Sequence, residues 1–193
     1  IIPLYNSKAF ISETIDSVLD QTYKDLEIIA VDDGSTDNTY EFVTSKYKDK
    51  VKCIRQENLG ISSARNKAIY LAQGNYIAFI DHDDKWLPDK LGTQLSIFKE
   101  KPDIGLVFSD AYIIDINGKR INNFFEISRP YRGMVFDKLL RDNFIPILTA
   151  IVRKGLFDKV GLFDTRYSIA EDWDLFLKIS QICPIDYIDR KLA

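Results

Sequence analysis

The stretch LEIIAVDDGSTDNTYEFVTSKYK, residues 26–48, decides the fold. It opens on an apolar run with no polar alternation, as a strand buried on both faces does. It then turns at Gly34 among Ser, Thr, Asp and Asn, residues suited to tight turns and helix caps. Past the turn, apolar residues recur three and four positions apart, the spacing of a helix with one buried face. Strand 26–31, an acidic turn and helix 39–48 form one unit, and the rest of the chain is read outward from it.

The unit recurs. KCI (52–54), YIAFI (76–80) and IGLVFSDAYII (104–114) read as strands, rich in β-branched and aromatic residues. AFISETIDSVLDQ (9–21), SSARNKAIYLAQ (62–73) and DKLGTQLSIFKE (89–100) read as amphipathic helices, the last stopped by Pro102. This alternation predicts an α/β fold of Rossmann-like type, with a mostly parallel central sheet and helices on both faces. After residue 115 the pattern loosens. INGK (116–119) is a turn within a hairpin, 122–133 a loop, MVFDKLLRD (134–142) a helix and ILTAIV (147–152) a strand. AEDWDLFLKISQI (170–182) opens a helix with acidic residues in its first turn, and PIDYI (184–188) a last strand. A small antiparallel element is therefore expected in the C-terminal third. With no repeat or linker, residues 1–193 read as a single domain.

Composition sets the limits. The chain has 193 residues, enough for one sizeable core, with 46% hydrophobic and 28% charged residues, as in globular proteins. A net charge of −3 gives no electrostatic reason to expect nucleic acid as a partner. No apolar run approaches the length that crosses a bilayer. Opening at Ile1 rather than Met, in mid-strand, the chain reads as a segment truncated at both ends. Cys53 and Cys183 lie far apart in apolar surroundings. They are expected to be buried free thiols in a reducing, cytoplasmic setting.

In an open α/β sheet, ligands bind beyond the carboxyl ends of the strands. Two acidic clusters fall there, VDDGSTD (31–37) and DHDD (81–84), which would put Asp32, Asp33, Asp81 and Asp83 around one crevice. Three carboxylates within four positions repel one another by roughly 1 kcal/mol per close pair even in water-like surroundings. No Lys or Arg follows them until Lys85. Asp81 and Asp83, two apart in extended chain, project to the same side. Hard oxygen ligands of this kind suit Mg²⁺ or Mn²⁺, which keep other positions for substrate phosphates. The plainer reading is a solvated turn with Asp84 capping a helix near Pro88. A calcium loop is excluded by Lys85 and Trp86 where a ligand and a Gly are needed. Asp32 and Asp33 suit the ring N–H of uracil or ribose hydroxyls, although Gly34 and its polar neighbours also make an ordinary turn and cap.

No Gly-rich phosphate loop follows any strand. A diphosphate beside four carboxylates therefore needs a divalent ion between them. Arg65, in NLGISSARN (58–66), is the nearest protein cation for it. Glu171 and Asp172 suit the macrodipole of a first helical turn, and the same position keeps a general base ionised. Trp173 offers a flat face to a sugar ring or fills the core, and His82 is a spacer.

Taken in order, IIPLYN, VDDGSTD, NLGISSARN, FIDHDD and AEDWDL resemble the family 2 inverting glycosyltransferases of the GT-A fold, over essentially the whole chain. The resemblance implies a sugar nucleotide donor, with UDP favoured, and inversion at the anomeric carbon. It places Pro3 and Tyr5 at the base, Asp32 or Asp33 on uracil, and Arg65 by the base and diphosphate. It sets Asp81 near the ribose, Asp83 on Mn²⁺ or Mg²⁺, and Asp172, rather than Glu171, as the base that activates an acceptor hydroxyl. Residues 1–115 become the nucleotide-sugar half and 116–193 the acceptor half, with Phe124, Phe125 and Tyr131 as acceptor-side candidates. Polysaccharide or glycoconjugate synthesis is implied, with a saccharide, lipid-linked or other hydroxyl acceptor and peripheral membrane association at the inner face. Members usually continue beyond the point matching Ala193, with a segment that covers the site and adds a metal ligand. A nucleotidyltransferase would want a Gly-rich loop near IIPLYNSKAF, and a non-catalytic module would have lost the metal aspartate or the base; neither holds.

Overall fold

The structure, a computed structural model, describes residues 1–193. Three parallel strands, β1 (Ile2–Leu4), β2 (Ile29–Asp33) and β3 (Lys52–Gln56), form one ladder in that order. Four more, β4 (Tyr76–Ala78), β5 (Leu106–Asp110), β8 (Ile151–Arg153) and β9 (Ile185–Lys191), are ordered β4-β8-β5-β9. The two ladders are joined at Ile1. Its nitrogen donates to the Ala78 carbonyl at 2.7 Å, and its carbonyl accepts from Ile80 N at 3.2 Å, a parallel pattern. The strands thus follow one another as β3-β2-β1-β4-β8-β5-β9. Only β8 is reversed, antiparallel to both β4 and β5, while β9 is parallel to β5.

Helices α1 (Ile11–Leu19), α2 (Thr39–Tyr47), α3 (Ile61–Leu71) and α4 (Lys90–Glu100) connect the strands of the first half. Beyond β5 come the hairpin β6 (Tyr112–Ile114) and β7 (Arg120–Asn123), the single turns α5 (Phe124–Ile127) and α6 (Phe136–Leu139), then α7 (Phe157–Val160) and α8 (Glu171–Ser180). Alternate strand residues feed two cores. Ile29, Val31, Leu106, Phe108 and Val152 belong to one, and Ala30, Val107 and Ile151 to the other. This two-sided burial is why the strands read as unbroken apolar runs. Helix α1 is anchored by Ile11, Ile15 and Val18, each fully or nearly enclosed and contributing about 1.5–3 kcal/mol by burial.

The sequence reading needs correction in several places. β2 begins at Ile29 and carries Asp32 and Asp33 as its last two residues. The run 104–114 is two strands in different ladders, because the chain leaves the main sheet at Ala111 to start the hairpin. Residues 122–133 contain the end of β7 and a helical turn rather than loop alone, and the helix expected over 134–142 is one turn. Residues 147–149 form a 3₁₀ turn ahead of β8. Helix α4 starts only at Lys90, so Asp84 caps nothing. Both cysteines are free, Cys183 buried and Cys53 half-buried, with burial pushing the Cys53 thiol up to about 12. No helix is long and apolar enough to cross a membrane.

Candidate active site

β1, β2, β4 and β5 run in one direction, so their carboxyl ends share an edge. Along it lie Asp32 and Asp33, the DHDD turn after β4, and Asp110. The loop after β1 is fastened to the loop after β2. Asn6 N donates to Ser35 Oγ (2.9 Å), Thr36 N to Asn6 Oδ1 (2.9 Å), Ser7 N to Thr39 Oγ1 (2.8 Å) and Lys8 N to Asp37 Oδ2 (3.1 Å). Asp37 also accepts from Thr39 N at 3.0 Å, and these donors draw its carboxyl below the ordinary range although slight burial opposes them. The clamp sets the backbone around Pro3 and Tyr5, and leaves the Tyr5 ring 47% exposed beside the edge.

The carboxylates of this edge divide into two groups. Asp33 is held by backbone: Leu59 N donates to Oδ1 (2.9 Å) and Gly60 N to Oδ2 (2.8 Å), with Gln56 Nε2 also on Oδ1 (2.7 Å). It thereby shapes the entry to α3, where Gly60 has φ +89°. Asp32 has a fully enclosed side chain; Ser35 N (3.3 Å) and Arg55 Nε (3.4 Å) approach Oδ2, and Oδ1 has no partner. Arg65, 2% exposed, donates to Asp81 Oδ1 at 2.8 Å and to Glu171 Oε1 at 2.6 Å, with its guanidinium 5.4 Å from the Phe163 ring centre. One cation thus joins α3, the end of β4 and the start of α8.

The second group has no cation. Asp83 is exposed and Asp84 half-buried, and neither side chain accepts a hydrogen bond or pairs with a basic group. Lys85 turns away to pair with Glu13 of α1. The turn is fixed from beneath by Thr14 Oγ1 on the His82 carbonyl (2.8 Å), and the His82 ring makes no hydrogen bond, as a spacer would. Burial first, then the charges of Asp81 and Asp83, push the Asp84 carboxyl up to about 7. No three of the molecule's acidic, His or Cys side chains converge closely enough to chelate an ion unaided. What the turn provides is one or two hard oxygen donors with uncompensated charge, the donor set of a Mg²⁺ or Mn²⁺ that completes its shell from water and substrate.

Asp172 is the third carboxylate without a cation. Trp173 N donates to Oδ1 (2.7 Å) and Asn143 Nδ2 approaches Oδ2 at 3.4 Å. Burial, with the neighbouring Glu171 charge, raises its carboxyl above the ordinary range. Helix α8 is entered through Ala170 in the left-handed region, φ +63°. Trp173 packs against the core and donates from Nε1 to the Leu139 carbonyl at 2.6 Å, so it fills structure rather than offering a sugar face. Phe125 and Tyr131 likewise pack inward, Phe125 on Phe108 and Tyr187, Tyr131 on Phe144. Residue reading missed Asn6, Ser35, Asn143 and Phe163. Asn6, with φ +49° next to a strand end, carried a turn signal that could have found it.

A parallel sheet with acidic strand ends, one reversed strand and an acidic helix start is an arrangement shared with known proteins. The S. aureus TarS structure in complex with UDP matches 97% of this chain and 59% of its own, at 20% identity and a TM-score of 0.72. A mannosyltransferase from Pyrobaculum calidifontis, solved with GDP-Man and Mn²⁺, matches 97% of this chain and 53% of its own at 22% identity and a TM-score of 0.74. The fold is therefore GT-A. The Escherichia coli chondroitin synthase is 32% identical over 191 residues, 98% of this chain and 27% of its own length. Residues 1–161 match glycosyl transferase family 2, and the chain belongs to that family. It spans about 28–61% of the length of several curated relatives, all glycosyltransferases.

Proposed function

We propose that the chain moves a sugar from a nucleoside diphosphate donor, with uridine as the base, to an acceptor hydroxyl with inversion at the anomeric carbon. The observation that carries this is the division of the carboxylates. Asp81 and Glu171 are neutralised by Arg65, and Asp33 is held by amides, while Asp83, Asp84 and Asp172 stay without cations. Uncompensated charge at a site edge is costly unless a ligand or a proton relieves it.

Asp83, with Asp84 beside it, would hold Mn²⁺ or Mg²⁺; when bound, the ion supplies Lewis-acid neutralisation of a departing diphosphate. Tyr5 and Pro3 bound the base. Asp33 is the better partner for the uracil N–H, because Oδ2 carries a single hydrogen bond and the side chain retains some access, whereas Asp32 is sealed. Asp81, oriented by Arg65, keeps a second oxygen for a ribose hydroxyl. Asp172 takes the acceptor proton. Its raised proton affinity makes it a stronger base than a free carboxylate, and it is ionised at neutral pH as the task requires. Glu171, tied at 2.6 Å to Arg65, is spent on structure. Polysaccharide or glycoconjugate synthesis is the setting in which relatives of this kind are named.

Melting curves with UDP, GDP, TDP and CDP, each with and without Mn²⁺, test the donor site. A ligand at 100 times its dissociation constant adds about 2.7 kcal/mol, or roughly 5–10 °C for a domain of this size. The expected result is a Mn²⁺-dependent rise with UDP that Asp83→Ala abolishes. A rise with UDP that is indifferent to Mn²⁺ and to Asp83 would refute the metal assignment.

A further inference from the structure

Residues 112–141 run from β6 through the hairpin, α5 and α6. They hold six of the fifteen large hydrophobic side chains exposed on the molecule: Ile114, Ile116, Ile121, Ile127, Met134 and Leu140. Ile116, at the hairpin turn, is 93% exposed, and Ile121 is 67% exposed. The same thirty residues carry six Lys and Arg against three Asp and Glu, a net +3 on a chain whose total is −3. All six basic side chains are exposed, and only Arg132 leans on a carboxylate outside the stretch, Asp186 at 3.5 Å. Exposed isoleucines beside unpaired lysine and arginine make a surface that is apolar and basic at once.

The hairpin springs from the carboxyl end of β5, the edge that also carries the DHDD turn. It lies at the mouth of the molecule, away from the helices that cover the sheet. Three occupants come into question, and their chemistry separates them. A polyanionic chain would answer the charge but give the isoleucines no apolar phase. A second copy would cover the isoleucines but bring +3 against +3, a like-charge contact that opposes docking. A bilayer with anionic headgroups answers both, with apolar side chains at the headgroup boundary and basic ones on the phosphates. We propose that hairpin β6–β7, with the segment through α6, seats the molecule on a negatively charged lipid surface. The carboxyl edge of the sheet then faces the membrane interface. The inference does not rest on the donor-site reading.

Co-sedimentation of the chain with vesicles of phosphatidylcholine alone, and of phosphatidylcholine mixed with phosphatidylglycerol, tests it. Binding is expected to the mixed vesicles and to weaken as salt is raised, since exposed charges are screened within about 10 Å at 0.1 M salt. The double substitution Ile116→Ser/Ile121→Ser should lower vesicle partition about ten-fold or more by removing two insertable side chains, with melting temperature unchanged. Lys119→Glu/Arg120→Glu should lower it at low salt and matter less at high salt. Three results overturn the proposal: no binding to the mixed vesicles, binding indifferent to the isoleucines, or a dimer in analytical ultracentrifugation that the isoleucine substitutions dissolve.

Discussion

At the scale of the residue, function in this chain is a matter of which charges are left over. Asp172 and Glu171 are adjacent, yet one is bound to a buried guanidinium and the other to a backbone N–H. Sequence alone favoured Asp172 only through a resemblance; the geometry supplies a physical reason. Burial, then the Glu171 charge, lifts the Asp172 proton affinity, and Arg65 and Asn143 partly oppose this. The sign is fixed: a base acts when ionised, so the rate should fall as pH drops through a pKa above the ordinary carboxylate range. Asp172→Asn should lower kcat about 10²–10⁴-fold with a smaller effect on donor binding. Glu171→Gln removes the like charge and leaves Arg65 free to favour the Asp172 anion. The acidic limb of its pH–rate profile should therefore move to lower pH. A limb that stays put or moves up would show that Glu171 does not set the basicity of its neighbour.

At the scale of the element, the strands and helices of the first half were legible because burial on both faces leaves an unbroken apolar pattern. Their exact ends were not. β2 starts three residues after Leu26, and helix α4 starts one residue after the expected Asp89, because hydrogen bonding and not hydrophobicity fixes an end. Pattern also fails where an element is a single turn. Helices α5 and α6 are too short to show a period, and the run 104–114 hides a change of sheet at Ala111. The start of α8 is the element on which the site depends, and it carries strain. Ala170 holds φ +63°, a conformation costing a residue with Cβ about 1–2 kcal/mol. Ala170→Gly relieves that cost but adds freedom to the unfolded chain, so a net gain of about 0.5–1 kcal/mol is expected. In a chain of this size that is roughly 1–4 °C in Tm. Ala170→Val, branched at Cβ, should lose stability at the same position. Equal melting temperatures for the three variants would mean that the left-handed turn into α8 is not held in solution.

At the scale of the whole molecule, the inference that mattered was that two acidic stretches nearly fifty residues apart share a crevice. It was legible because parallel strands must end at the same edge. What sequence could not supply was the joint that makes it true, the pair of backbone bonds between Ile1 and the Ala78–Ile80 segment. Nor could it show that Arg65 would tie Asp81 to Glu171 across 106 positions of chain. Both cores cross that joint: the larger contains Ile29 and Val31 with Val152 and Ile185, the smaller Ile2 and Ala30 with Val107 and Ile151. Separating the ladders would expose both cores at once, and the chain should therefore unfold as one cooperative unit. The two tryptophans allow a direct test, since Trp86 is buried in the smaller core and Trp173 packs against the larger. With Trp173→Phe reporting on one face and Trp86→Phe on the other, urea unfolding followed by fluorescence is compared, in each variant, with far-ultraviolet circular dichroism. The fluorescence and dichroism midpoints should coincide within each protein, even if the substitutions shift the two midpoints differently. A tryptophan signal that changes ahead of the dichroism on either face would mean that the two ladders come apart, and that residues 1–193 are two cooperative units sharing one sheet.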